Sequence, residues 1–227
     1  MPAGAGLWHC PARVSEAHYD ADYLAWQRTV GEVGAVLNQR KFLPWLRPTD
    51  VVLDFGCGTG ALLEALPGRE KIGVEVNPDA EAEARTRGVT VYRELGSVAD
   101  ASIDAVISNH ALEHVERPLD QLRDLHRVLK PGGVAVLVVP IDDWRSERRP
   151  VSDDPNHHLY TWTPLLFANM LRDAGFQVEA CRVYTHAWRR KFVLLHRVMP
   201  TPLYDAAAWL LAVAMRSRQI HAVCRRS

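Results

Sequence analysis

Residues 51–60 read Val-Val-Leu-Asp-Phe-Gly-Cys-Gly-Thr-Gly. An apolar run ends in Asp54, and glycines follow at alternate positions, Gly56, Gly58 and Gly60. A helix-like stretch, Ala61 to Leu66, comes next. This is a buried strand that passes through a tight glycine loop into a helix N-terminus. Glycine tolerates positive φ and lets a ligand lie against bare backbone. Downstream the pattern alternates. Strands are expected near 50–55, 71–76, 89–92, 103–108, 133–140 and 176–184, and helices near 60–66, 78–87, 118–129 and 163–174. Such alternation implies a parallel sheet covered on both faces. A chain of 227 residues, 48% hydrophobic and 24% charged, is long enough for one good core, so a single globular domain with extensions is expected.

The decamer resembles motif I of the class I S-adenosylmethionine (SAM) methyltransferases, Asp-x-Gly-x-Gly-x-Gly. Dinucleotide-binding loops are similar, and Gly56, Gly58 and Ala61 also fit Gly-x-Gly-x-x-Gly/Ala. Two features favour the methyltransferase pattern. Asp54 directly precedes the loop, and Gly60 adds a third glycine at spacing two. Phosphate must be neutralised or cradled by N–H groups, whereas SAM has none and its ammonium needs acceptors such as backbone carbonyls. Three more landmarks follow in the family's order. Residues 71–78, Lys-Ile-Gly-Val-Glu-Val-Asn-Pro, place Glu75 about 20 residues after the loop's start, where an acid meets ribose hydroxyls. Residues 103–115 end a fourth strand in Ser-Asn-x-x-Leu-Glu-His, and residues 127–140 carry Leu-Lys-Pro-Gly-Gly into a fifth. The resemblance covers about residues 45–182.

The resemblance implies an α/β fold: a Rossmann-like, doubly wound seven-stranded sheet with its last strand antiparallel and an N-terminal helical cover. Ile220 to Cys224 is read as that last strand, inserted beside the fifth, and Ala206 to Arg216 as a helix covering the sheet. Residues 1–47 become an N-terminal extension and helical lid, and 48–227 the SAM-binding core. SAM is the implied cofactor. Asp54, Gly56, Cys57, Gly58, Gly60, Glu75, Asn109 and His110 fall on its side, with Leu95 and Glu94 as adenine contacts. The stretch from Tyr92 to Ile103 is short and polar, with little room for a third crossover helix. Tyr19, Tyr23, Trp26, Val30, Val33 and Leu37 recur at spacings of three and four and mark one helical face, closed by Pro44 and Pro48. Tyr19, Tyr23 or Trp26 either touches the methionine end of SAM or packs on the core.

Methyl transfer from a sulfonium is an in-line displacement, so the protein mainly aligns the reactants and excludes water. A hydroxyl acceptor also needs a base, for which histidine is suited. His114, His157 and His158 are the candidates, as base or as acceptor-positioning groups. His114 lies in the string His110-x-x-Glu113-His114, and the pair 157–158 lies in a loop that follows the fifth strand. The alternatives are that His114 packs at the start of a helix and that one of the pair holds the loop through backbone bonds. No metal is expected. The alternative is a divalent ion on His110, Glu113, His114 and a histidine of the pair. That set is similar to the small-RNA 2′-O-methyltransferases, where Glu and His residues after the fourth strand hold a metal, although that family has an acid where His110 stands.

Formal net charge is zero, so nothing global points to nucleic acid, which is not expected as a partner. From Gln177 onward, however, nine Lys and Arg face only Glu179 and Asp205. This basic quarter suits an acidic acceptor or an anionic surface, or it balances an acidic front half. Ala206 to Met215 is too short to span a bilayer, which leaves peripheral membrane contact open. Four scattered cysteines form no metal-type pair, and the start of the chain lacks a signal-peptide pattern, so a cytoplasmic protein is expected. The expected activity is methyl transfer from SAM to a small-molecule, lipid or sugar acceptor, chiefly at oxygen. The alternatives are a metal-dependent RNA 2′-O-methyltransferase and a non-catalytic SAM-binding module. The acceptor pocket would come from residues 15–47, 141–164 and 184–205, and the oligomeric state is open.

Overall fold

The computed structural model describes residues 34–35, 37–142, 157–185, 199–214 and 217–227. Its strands are β1 (Val51–Phe55), β2 (Glu70–Val74), β3 (Thr90–Tyr92), β4 (Ile103–Asn109), β5 (Leu129–Ile141), β6 (Phe176–Tyr184) and β7 (Arg218–Arg226). Its helices are α1 (Ala61–Ala65), α2 (Pro78–Thr86), α3 (Pro118–Val128), α4 (Pro164–Asp173) and α5 (Thr201–Ala214). The strands form one seven-stranded sheet in the order β3-β2-β1-β4-β5-β7-β6. The first five run parallel, and β7 is antiparallel to both β5 and β6. This is the doubly wound, Rossmann-like sheet that the resemblance implies.

Every residue of β1 is buried because helices cover both faces. Successive side chains point to opposite faces, so Val51, Leu53 and Phe55 join Val106 and Leu137 in one core cluster. Val52 joins Ala105, Ile107 and Val136 in the other. Helix α3 buries Leu122, Leu125 and Val128 at the three-residue spacing of one face. Helix α2 starts where the Asn77 side chain accepts from the amides of Asp79 and Ala80, and α4 where Thr163 accepts from Leu166.

The structure shifts some expected boundaries. Strand β5 begins at Leu129, which pairs with Ile103, while Val134 pairs with Ala105. Lys130 to Gly133 therefore bulge opposite the single residue Asp104. Gly133 has to be glycine there, since a Cβ would sit 2.8 Å from the Lys130 carbonyl. Between β3 and β4 a 3-10 turn, Leu95–Ser97, replaces the third crossover helix. Strand β7 is longer than expected because it pairs on both sides. Helix α5 begins earlier, at Thr201. Toward the N-terminus, residues 37–38 are helical and two 3-10 turns follow, Gln39–Lys41 and Leu43–Trp45. Pro44 is the second residue of the second turn, where the missing N–H of proline would have no intrahelical partner. Tyr19, Tyr23 and Trp26 lie outside the described residues. Among those residues no helix is long and apolar enough to cross a membrane.

Candidate functional site

The glycine loop leaves the carboxyl end of β1 and folds back on β2. The amides of Gly56 and Cys57 both donate to the Val74 carbonyl, at 2.9 and 3.2 Å. Gly56, Gly58 and Gly60 all have positive φ, at 76°, 52° and 77°. A Cβ on Gly56 would lie 2.4 Å from the Ala111 Cβ, so β4's exit segment packs directly on the loop. A Cβ on Gly60 would lie 3.0 Å from Ala84 of α2. These two glycines thus serve close packing of protein on protein. Cys57 is buried, and its sulfur fills the space beside Gly73, where a Cβ would come within 2.4 Å. Burial pushes its thiol pKa up, which makes it unreactive.

Two acids frame the loop. Glu75 follows β2, and its Oε2 accepts from Gly58 N at 2.8 Å while Oε1 accepts from the amides of Val76 and Asn77. Burial raises its pKa against the lowering effect of these three bonds. Asp54 is 2% exposed, and burial, then the charge of Glu75, holds its pKa well above the usual carboxylate range. Its Oδ1 has no hydrogen-bond partner among the described residues. A buried carboxylate oxygen without a partner is costly unless a donor or cation completes it. SAM brings an ammonium, a sulfonium and two ribose hydroxyls, so the pair fits that group. Leu95 sits inside the larger core cluster, and its carbonyl accepts from Arg127 at 2.9 Å. Glu94, just before that turn, is exposed, as are Gly96 and Ser97 within it.

At the carboxyl end of β4 the structure adds two residues with no sequence signal. Lys41, from the first 3-10 turn, is 5% exposed. Its Nζ donates to Asn109 Oδ1 at 3.1 Å and to Gln219 Oε1, at the start of β7, at 3.0 Å. Among the described residues no carboxylate pairs with it, and burial lowers its pKa to about 7. His110 follows in a left-handed conformation, φ 59°, rare for a residue with a side chain. Its Nε2 meets the same Gln219 oxygen at 3.0 Å, and its Nδ1 lies 3.2 Å from Glu113 Oε1. An ammonium can only donate, so Gln219 presents its oxygen, and His110 Nε2 is the donor there.

The histidine pair is split. His157 is exposed, with φ 45°. His158 turns inward, where its Nδ1 meets Asp142 Oδ2 at 3.0 Å and its ring meets His114 edge-on at 5.0 Å. Asp142 lies just past β5 and holds the loop a second way, its amide donating to Thr161 Oγ1 at 3.0 Å. With a proton on Nδ1 donated to that carboxylate, Nε2 is the unprotonated ring nitrogen. Below both rings lies Glu113, 0% exposed. His114 Nε2 and His158 Nε2 are each 4.0 Å from Glu113 Oε1. Neither Glu113 oxygen accepts a hydrogen bond among the described residues. One donor atom each from Glu113, His114 and His158 lies within 4.8 Å of the others, a spacing open to a metal ion. Burial lowers the His114 pKa despite the neighbouring Glu113.

A methyltransferase-domain family model matches residues 29–180. The ubiquinone biosynthesis O-methyltransferase of Ruegeria pomeroyi is 33% identical over 126 residues, 51% of this chain and 49% of that protein. A probable tRNA methyltransferase 9B of Bos taurus is 28% identical over 142 residues, 60% of this chain and 30% of that one. The chain thus matches half or less of these relatives' length. Among solved structures, Haemonchus contortus phosphoethanolamine N-methyltransferase 2 in complex with SAM superposes with TM-score 0.64 at 17% identity, covering 93% of this chain and 58% of that one. At that identity the likeness concerns the fold. The matched family, the sheet order and the loop between two acids agree: the chain belongs to the methyltransferase-domain family, a class I SAM-dependent methyltransferase whose cofactor is SAM.

Proposed function

We propose that the chain transfers the methyl group of SAM to a hydroxyl of a small-molecule, lipid or sugar acceptor. The observation that carries this is the placement of two unlike half-sites at one edge of the sheet. The glycine loop, Asp54 and Glu75 lie at the carboxyl ends of β1 and β2. Asn109, His110, His114 and His158 lie at and beyond the carboxyl ends of β4 and β5. Ligands of open α/β sheets bind at such carboxyl ends. Glu75 keeps lone pairs for the ribose hydroxyls, and Asp54 supports the methionine end. The loop's carbonyls accept from the ammonium. On the acceptor side His158, oriented by Asp142, takes the hydroxyl proton on Nε2 as the oxygen attacks the methyl carbon. His114 packs against it, and His157, on the outer side, positions the acceptor. Residues 1–47 act as the lid and 48–227 as the core, consistent with Lys41 reaching Asn109 from the lid. The named ubiquinone O-methyltransferase relative supports oxygen as the methylated atom.

A second reading is favoured by the buried Glu113 carboxylate, which accepts no hydrogen bond among the described residues. A divalent cation held by Glu113, His114 and His158 would satisfy it, with Asp142 as the outer partner of His158. The acceptor hydroxyl would then lose its proton to solvent or to a neighbouring base under the cation's field, and a ribose 2′-hydroxyl of RNA becomes a suitable acceptor. The tRNA methyltransferase relative keeps that substrate in view. Incubation with methyl-labelled SAM and fractionated cell extract tests both. Label in a small-molecule or lipid fraction, unaffected by a chelator, supports the first reading. Label in nuclease-sensitive material, lost with a chelator, supports the second. SAM binding without any label supports a non-catalytic module.

A further inference from the structure

Helix α5 has two sides of unusual character. Tyr204, Ala208 and Ala212 are buried, the first two against Leu37. From Pro202 to Ala214 every exposed position on α5 is Pro, Leu, Ala, Trp or Val. Leu203 and Leu210 are 60% and 62% exposed, with Trp209 and Val213 beside them. The one charged residue of α5, Asp205, is taken up by Arg40 at 2.7 Å. An ordinary surface helix shows its polar side outward. A leucine and tryptophan face in that place marks an interaction site.

Charge, length and composition favour one occupant. From Gln177 onward nine bases stand against two acids. Both acids are paired, Glu179 with Arg225 at 2.6 Å and Asp205 with Arg40. The surplus is positive, and Arg218, which follows α5 closely, is exposed. Anionic headgroups attract such residues. With 14 residues, α5 is too short to cross a bilayer, but an interfacial helix needs only an apolar face. Tryptophan is the aromatic residue that settles at the lipid–water boundary.

We propose that the outer face of α5 docks the chain on an anionic membrane surface. Ser217 N donates to Ala212 O at 2.9 Å, which ties the C-terminal end of α5 to the start of β7, where Gln219 meets His110 and Lys41. The C-terminal end of the docked helix therefore lies close to the candidate site. Resting on the methyltransferase reading above, the acceptor is then one that resides in the membrane.

Flotation of the full chain with vesicles tests docking without any need for activity. The chain should float with phosphatidylglycerol-containing vesicles at least about tenfold more than with pure phosphatidylcholine, and raised salt should weaken it. The double variant Leu203→Asp/Leu210→Asp should lose flotation while keeping its circular dichroism and SAM affinity, since both side chains lie on the surface. The Trp209→Phe variant should still float but lack part of the fluorescence blue shift seen with vesicles. Three outcomes overturn the proposal: no flotation with anionic vesicles, flotation unchanged by the double variant, or a concentration-dependent dimer that the variant abolishes, which would give the face to a second copy. If docking holds but no label transfers to membrane material, the failure lies with the acceptor and not with the surface.

Discussion

At the residue scale the site is built from charges that water does not screen. Asp54 and Glu75 have raised pKa values, so each binds a proton more readily in the folded protein than in the unfolded chain. A cationic cofactor beside them favours their ionised forms and should expel protons. SAM affinity should therefore rise as pH increases through the raised folded-state pKa values, and calorimetry in buffers of different ionisation enthalpy should register proton release. Identical heats in all buffers would count against the two acids as cofactor partners. Lys41 shifts the other way, from 10.5 to about 7. Its stabilising effect is full above the unfolded value and is lost as pH falls towards 7. Between pH 7 and 10 the wild-type urea midpoint should climb relative to Lys41→Met, by up to about 1.4 kcal/mol per pH unit. Parallel curves would show that Lys41 is not buried as described.

At the element scale, glycines and caps fix the loop. Gly56→Ala adds a Cβ at positive φ and 2.4 Å from Ala111. Strain and overpacking together should cost about 2 kcal/mol or more and weaken SAM binding. Chemical denaturation and SAM titration of this variant check both. Asn77→Ala removes the cap of α2 and should cost about 1 kcal/mol, with the fold kept, as the denaturation midpoint would show. Glu113→Gln keeps the shape of the buried side chain and removes its charge. In the histidine-base reading the protein as purified holds no stoichiometric metal before or after this change. In the cation reading, metal content measured by mass spectrometry falls from near one per chain.

At the scale of the whole molecule, most of the fold can be read along the chain because parallel strands buried on both faces are continuous apolar runs. Val51 to Leu53 and Val134 to Val139 need no partner to be recognised as strands. The cofactor half is legible for a similar reason: its residues lie within one strand–loop–helix unit and the strand that follows. The end of β4, with Asn109 and His110 expected on the cofactor side, and the histidine loop beyond β5 are assembled differently. Lys41 reaches Asn109 across 68 positions and Gln219 across 178. Neither Lys41 nor Gln219 belongs to a motif, and Asp142 is marked only by the His158 ring that it meets. The left-handed backbone of His110 has no marker either, since histidine gives no sign of positive φ. The acceptor stays the least legible part because the chain matches relatives named for acceptors as unlike as ubiquinone and tRNA.

The most direct test is a titration of SAM into the full chain alongside its Glu75→Ala variant, with NADH as the competing cofactor. Saturable one-to-one binding of SAM, weakened at least about tenfold by the variant and unmatched by NADH, is the expected result, since a half-buried carboxylate proposed to accept two hydroxyls would be a strong contact. Absence of SAM binding, or binding that Glu75→Ala leaves unchanged, would contradict the cofactor site assigned at the ends of β1 and β2.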